Sequence, residues 1–109
     1  MSQYVTKAKQ IISSHKFVQL TASWCPDCVY AKSVWNKYGV TDKVYFFEIS
    51  GFSRDEQAKY RDAFHQVCGV RNLPTIFVDG SVWGTERELH KFERSGKLEE
   101  ELKRIGLLN

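Results

Sequence analysis

Phe17-Val18-Gln19-Leu20, followed closely by Trp24-Cys25-Pro26-Asp27-Cys28, is the stretch on which the fold of this chain turns. The apolar run reads as a strand. Just downstream, Val29, Ala31, Val34, Trp35 and Tyr38 recur at helical spacing. Pro26 suits the first turn of that helix, where its missing N–H costs nothing. Two thiols separated by two residues can close a small disulfide ring. Cys25 is therefore expected where a strand hands over to a helix, at the positive end of that helix. That position favours a thiolate, the nucleophile of disulfide exchange. A Cys-x-x-Cys in this setting reads as a redox motif.

The whole chain bounds the reading. It has 109 residues, 42% of them hydrophobic and 14% aromatic, which suits one domain over residues 1–109 and leaves no room for a second. The net charge of +3 is mild, and basic residues are interleaved with acidic ones, so no nucleic-acid stripe is expected. No apolar run approaches the roughly 18 residues of a membrane span. The N-terminus, Met1 to Gln10, is polar and lacks a signal-peptide core. A cytoplasmic home, cytosolic or nuclear, is the expectation. Three cysteines in a reducing compartment do not suggest a structural disulfide framework; a close pair there points to catalysis or metal binding.

In chain order, Tyr4, Val5, Ala8, Ile11 and Ile12 predict a first helix over 3–14. Residues 17–22 form the first strand, and the redox helix ends near Gly39. Residues 44–49, rich in aromatic and β-branched side chains, predict a second strand. Ser53-Arg54-Asp55-Glu56 has the form of a capping box and opens a third helix closed by Gly69. Thr75-Ile76-Phe77-Val78 is a third strand. Asp79-Gly80 is a hairpin signal, so Ser81-Val82-Trp83 should return antiparallel beside it. Thr85 with Glu88 suggests another capping box and a fourth helix, and Leu98, Leu102 and Ile105 a last short one. The resulting fold class is α/β: a four-stranded mixed sheet with helices on both faces, the thioredoxin fold. Pro74 would open the third strand, beside the end of the first. A cis Leu73-Pro74 bond would turn the Leu73 backbone outward to pair with an extended peptide.

At this point the sequence resembles the glutaredoxins over nearly its whole length. Cys25-Pro26-Asp27-Cys28 corresponds to the family's Cys-Pro-Tyr-Cys. Gly69-Val70-Arg71-Asn72-Leu73-Pro74 resembles its Gly-x-Arg-Thr-Val-Pro. Gly84-Thr85-Glu86-Arg87-Glu88-Leu89 resembles its Gly-Gly-Cys-Asp-Asp-Leu, and Ser95-Gly96-Lys97-Leu98 matches its closing segment. The resemblance implies that Cys25 attacks and Cys28 resolves, with glutathione as co-substrate. It implies that the Leu73 backbone beside Pro74 pairs with glutathione, and that Arg61 meets the glycine carboxylate. It gives the γ-glutamyl carboxylate to the backbone N–H groups of Glu86 and Arg87, at a helix N-terminus that favours anions. Trp24, Pro26 and Asp27, which frame the thiols, complete the implied glutathione-binding set.

Departures from the family pattern point to weak glutathione binding and modest activity. The family's Lys three residues before the first Cys is Ala22. Its Tyr is Asp27, one Gly of its Gly-Gly pair is Thr85, and its acidic partner for the glutathione amine is Arg87. Asp27, at roughly 6 Å from the thiolate and an effective dielectric of about 40–60, opposes it by on the order of 1 kcal/mol.

Trp24 before the first Cys resembles thioredoxin instead, but thioredoxin's buried acid six residues before that Cys is Gln19 here. The reading is a dithiol, glutathione-dependent thiol–disulfide oxidoreductase. Its expected partners are glutathione, protein disulfides and glutathionylated proteins, with no nucleic acid and no membrane, and a monomer is expected. A thioredoxin-like reductase is the alternative, as is a metal- or iron–sulfur-binding sensor. His65-x-x-Cys68 with Cys25 and Cys28 would make a legitimate zinc set, but Cys68 reads better as a small buried hydrophobe, and no metal is expected.

Overall fold

The structure, a computed structural model, describes residues 2–109; Met1, the first residue of the polar N-terminal stretch, lies outside them. The elements run α1 (Gln3–Ser14), β1 (Phe17–Thr21), α2 (Pro26–Lys37), β2 (Tyr45–Glu48), α3 (Arg54–Cys68), β3 (Thr75–Val78), β4 (Ser81–Gly84), α4 (Glu86–Arg94) and α5 (Leu98–Arg104). Their order is the expected one. A single 3₁₀ turn at Thr41–Lys43 was not anticipated, since three residues are too few to show a period. β1 stops at Thr21, one residue short of the expected end.

The four strands lie in the order β2-β1-β3-β4. β1 runs parallel to β2 and antiparallel to β3, and β3 pairs antiparallel with β4. This mixed sheet is the thioredoxin fold. Leu20 pairs with Thr75, so the end of β1 lies beside the start of β3. The turn between β3 and β4 holds both Asp79 (φ 51°) and Gly80 (φ 84°) at positive φ. That conformation matches the twist of the strands it joins.

All five residues of β1 are buried, because helices cover both faces of the sheet. Val18 and Leu20 pack with Val5, Ala8 and Ile11 of α1, Phe64 of α3, and Phe47 and Phe77 of the neighbouring strands. Phe17 packs on the other face with Ala31, Val34 and Trp35 of α2, Leu89 of α4 and Leu102 of α5. Side chains alternate along a strand, so Gln19 and Thr21 share the face of Phe17 and point toward α2.

The helix ends follow the sequence signals. Thr85 and Glu88 form the full reciprocal capping box of α4. At α3 only half of the expected box forms: Ser53 Oγ accepts from the Glu56 N–H at 3.2 Å, while the Glu56 carboxylate meets the Ser53 hydroxyl rather than its backbone. Gly69 closes α3 at φ 80°, a left-handed conformation that costs glycine little.

Phe64 is fully buried between Phe47 and Phe77, with ring centroids at 5.7 and 6.0 Å. Phe64→Ala removes the ring that ties α3 to two strands, and a loss of about 3–5 kcal/mol is expected. Urea denaturation of both proteins measures it through the shift in midpoint at unchanged slope.

Candidate active site

Cys25 is the N-cap of α2, and Pro26 occupies the first helical position. Its sulfur does what a capping oxygen does elsewhere: Sγ accepts from the Cys28 N–H at 3.3 Å. Both thiols are free, and both are buried, Cys25 at 7% exposure and Cys28 at 1%. The two are not equivalent. Burial, and then the neighbouring Cys25, push the Cys28 thiol up to about 12. Cys28 therefore stays protonated through the neutral range, while Cys25 sits over the positive end of the helix.

The loop that carries Cys25 is fixed from two sides. The Ser23 N–H lies within reach of both the Ser50 hydroxyl (2.7 Å) and the Glu48 carboxylate (3.1 Å) at the end of β2. Burial alone would raise the Glu48 carboxyl. Hydrogen bonds from Ser50 and the Ser23 N–H, with Lys32 nearby, outweigh burial and hold it below the ordinary carboxylate range. On the other side the Cys25 thiol donates to the Leu73 carbonyl at 3.5 Å. The Leu73-Pro74 bond is cis. Asn72 next to it donates to the Pro74 carbonyl (3.0 Å) and to the Glu86 carboxylate (2.8 Å), and Thr75 Oγ1 donates to the Asn72 carbonyl (2.7 Å).

Trp24 stands 56% exposed beside the thiols, its indole N–H donating to Gln57 Oε1 at 3.1 Å. The indole is thus tied to α3. Trp24, Arg54, Gln57, Ala58, Arg61 and Arg71 line an open groove of about 530 Å³. Arg54, Gln57, Ala58 and Arg61 come from one face of α3. Arg71 enters from the loop before Pro74 and pairs with Asp62. The groove is cationic, and Trp24, the residue before Cys25, forms part of its lining.

Of the residues singled out from the sequence, Trp24, Cys25, Pro26, Asp27 and Cys28 cluster at the β1–α2 junction, and Leu73 with Pro74 meets them there. Pro26 and Asp27 are exposed. Arg61 lines the groove on the α3 side. Glu86 and Arg87 open α4 as expected, but the Arg87 N–H already donates to Thr85 Oγ1 at 3.2 Å. The Glu86 carboxylate is turned inward against Asn72. Ala22 is fully buried. Cys68 is half-buried rather than buried, its thiol donating to the Val70 carbonyl at 3.6 Å. No group of three or more metal-ligating side chains occurs among the described residues. Arg54, Gln57 and Arg71 were missed as groove residues. The spacing of Arg54 and Arg61, seven residues apart on one helix, was the available signal.

A thioredoxin fold that presents one capping thiol beside one buried thiol, next to a cis-proline loop, defines a dithiol thiol–disulfide oxidoreductase. The glutaredoxin family model matches residues 4–83. The chain is 61% identical over 108 residues to Glutaredoxin-8 of Saccharomyces cerevisiae, covering 99% of each. It is 28% identical over 94 residues to mitochondrial Glutaredoxin-2 of Bos taurus, which is 86% of this chain and 57% of that protein. Its structure aligns with the solution structure of the yeast dithiol glutaredoxin Grx8 at TM-score 0.90 and 60% identity, over the full length of both. The chain belongs to the glutaredoxin family.

The asymmetry of the thiols has a direct readout. Iodoacetamide, applied to the reduced protein near neutral pH, is expected to label Cys25 at least ten-fold faster than Cys28. Labelling of Cys28 should rise only in strongly alkaline solution, because its raised pKa keeps the neutral thiol as pH climbs. Peptide mapping by mass spectrometry after timed quenching measures both rates.

Proposed function

We propose that this chain is a dithiol glutaredoxin of modest activity, in which Cys25 attacks and Cys28 resolves. Its substrates are protein disulfides and protein–glutathione mixed disulfides, and glutathione returns the dithiol. The observation that carries this reading is the inequality of the two thiols: one caps a helix, the other lies buried and protonated beneath it. The attacking Cys25 sulfur forms a mixed disulfide with the substrate sulfur. Cys28 then displaces that partner and closes the 25–28 disulfide, which glutathione reopens. A cytoplasmic location and a monomeric state belong to the same proposal, since cysteines without a structural framework suit a reducing compartment. The proposed cycle uses no metal.

The groove supports a polarised binding mode. The Leu73 backbone, turned toward Cys25, would pair with the cysteinyl part of glutathione. The glycyl carboxylate would lie with Arg61, beside Trp24 and Arg54, where charge-assisted hydrogen bonds favour it. The γ-glutamyl end would face the start of α4. There Thr85 already occupies the Arg87 N–H, and Glu86 adds a buried negative charge. Together with Asp27 in the first turn of α2, these features weaken the hold on an anionic tripeptide.

Three experiments test the reading. Cys25→Ser should abolish exchange, while Cys28→Ser should keep turnover of glutathione mixed disulfides, which need one thiol; equal residual activity in both would remove the assignment. Arg61→Ala should raise the Michaelis constant for glutathione about three- to ten-fold with turnover within about two-fold. An unchanged constant would return Arg61 to a solvated helix face. Asp27→Tyr should increase glutathione-dependent reduction several-fold, and an equal rate supported by a thioredoxin reductase in place of glutathione would favour the thioredoxin-like alternative.

A further inference from the structure

A buried polar chain runs beneath the two thiols, and nothing in the exchange cycle above uses it. Gln19 and Thr21 are fully buried, and Trp35 nearly so. Trp35 Nε1–H donates to Gln19 Oε1 at 2.7 Å. The Gln19 amide nitrogen donates to Thr21 Oγ1 at 3.1 Å and to the Cys28 carbonyl at 3.4 Å. Thr21 Oγ1 and the Cys28 carbonyl thus share one Gln19 NH₂ group, which sets the Thr21 hydroxyl beside Cys28, where it lowers the Cys28 thiol against the larger upward push of burial.

The far end of this chain fixes its direction. An indole N–H can only donate. Gln19 must therefore turn its oxygen to Trp35 and its NH₂ group toward Thr21. Thr21 Oγ1 is then an acceptor from Gln19, and its one proton is left to point at Cys28 Sγ. An amide and a hydroxyl at two central positions of a fully buried strand are tolerated because each finds its partners. An apolar pair would fill the same space without that requirement. Here the buried polar groups end at a reacting atom.

We propose that Thr21 is a catalytic residue of the resolving half-reaction, donating a hydrogen bond to the Cys28 sulfur as it becomes anionic. Gln19, held by Trp35, is the positioning residue that keeps the hydroxyl aimed there. The proposal rests on Cys28 being the resolving thiol. In that step Cys28 loses its proton to solvent and its sulfur attacks Cys25 Sγ. The bond between Cys25 and glutathione sulfur breaks, and glutathione leaves as thiolate. The enzyme dithiol becomes a disulfide, and the two electrons it gives up reduce the mixed disulfide. Thr21 keeps its own proton throughout. In the reverse direction glutathione thiolate attacks Cys25 and expels Cys28 as thiolate, and the same hydroxyl receives the leaving charge.

The test is rapid-quench kinetics of glutathione clearance from Cys25, starting from the reduced protein and oxidised glutathione, with acid trapping and mass spectrometry. Thr21→Val keeps the shape and removes the hydroxyl. It should slow clearance about three- to ten-fold, the loss of thiolate being partly offset by its higher nucleophilicity. The Cys25–glutathione adduct should then accumulate. Thr21→Ser, which restores the hydroxyl, should clear within about two-fold of the native rate. Clearance at the native rate in Thr21→Val would overturn the proposal, as would a Ser variant as slow as the Val variant. Cys28→Ser run alongside isolates the underlying assignment: clearance at the native rate there would show that Cys28 does not resolve. Should Thr21→Val fail to fold, the native protein itself decides. A Thr21 hydroxyl proton protected from solvent exchange in low-temperature NMR is expected, and a proton exchanging freely would refute the donor role.

Discussion

A sulfur atom stands where a helix ordinarily takes an oxygen cap, and the rest of the site depends on that substitution. Cys25 Sγ accepts the Cys28 N–H, so one hydrogen bond ties the two ends of the motif together. The bond forms only if the chain leaves β1 at the right place and turns into α2 at once. β1 is held by partners on both sides and helices on both faces. Pro26 sets the first helical dihedral, and Ser23 is pinned to the end of β2. Each of these places the attacking sulfur at the positive end of α2 and the second sulfur one turn inside.

Charge is distributed unevenly around that sulfur. Arg54, Arg61 and Arg71 surround the groove on the α3 side, although Asp62 engages Arg71. On the opposite side Asp27 occupies the first turn of α2, and Glu86 lies buried at the start of α4. An exposed charge such as Asp27 acts through high dielectric, and its effect is on the order of 1 kcal/mol. That is enough to change the occupancy of an anionic ligand several-fold, but too little to alter the fold. The arrangement leaves the exchange chemistry intact and weakens one end of the binding site.

Much of this was legible in the sequence because the signals were local. Pro26 inside a Cys-x-x-Cys marked a helix start, Thr85 with Glu88 marked another, and Asp79-Gly80 marked the hairpin. Pro74 at the head of β3 gave the neighbour of Cys25 once the topology was drawn. What escaped was non-local. Gln19, Thr21 and Trp35 lie on two elements, and only the fold closes them into a chain ending at Cys28. In the sequence Gln19 marks only the absence of an acid; its amide partners Trp35 and Thr21 are set by the fold. Arg71 joined the groove through a loop whose path no periodicity predicts. Trp24 beside the thiols gave no hint that Gln57, more than thirty residues later, would take its indole. The inward turn of Glu86 depends on Asn72, again from a different segment.

The central claim, that the capping thiol attacks and the buried one waits, is tested most directly by finding where glutathione first attaches. Reduced native protein would be mixed with less than one equivalent of oxidised glutathione, trapped in acid within milliseconds and mapped by peptide mass spectrometry. The account predicts that the earliest adduct lies on Cys25 alone, followed by a disulfide between Cys25 and Cys28. A first adduct on Cys28 or Cys68 would contradict it.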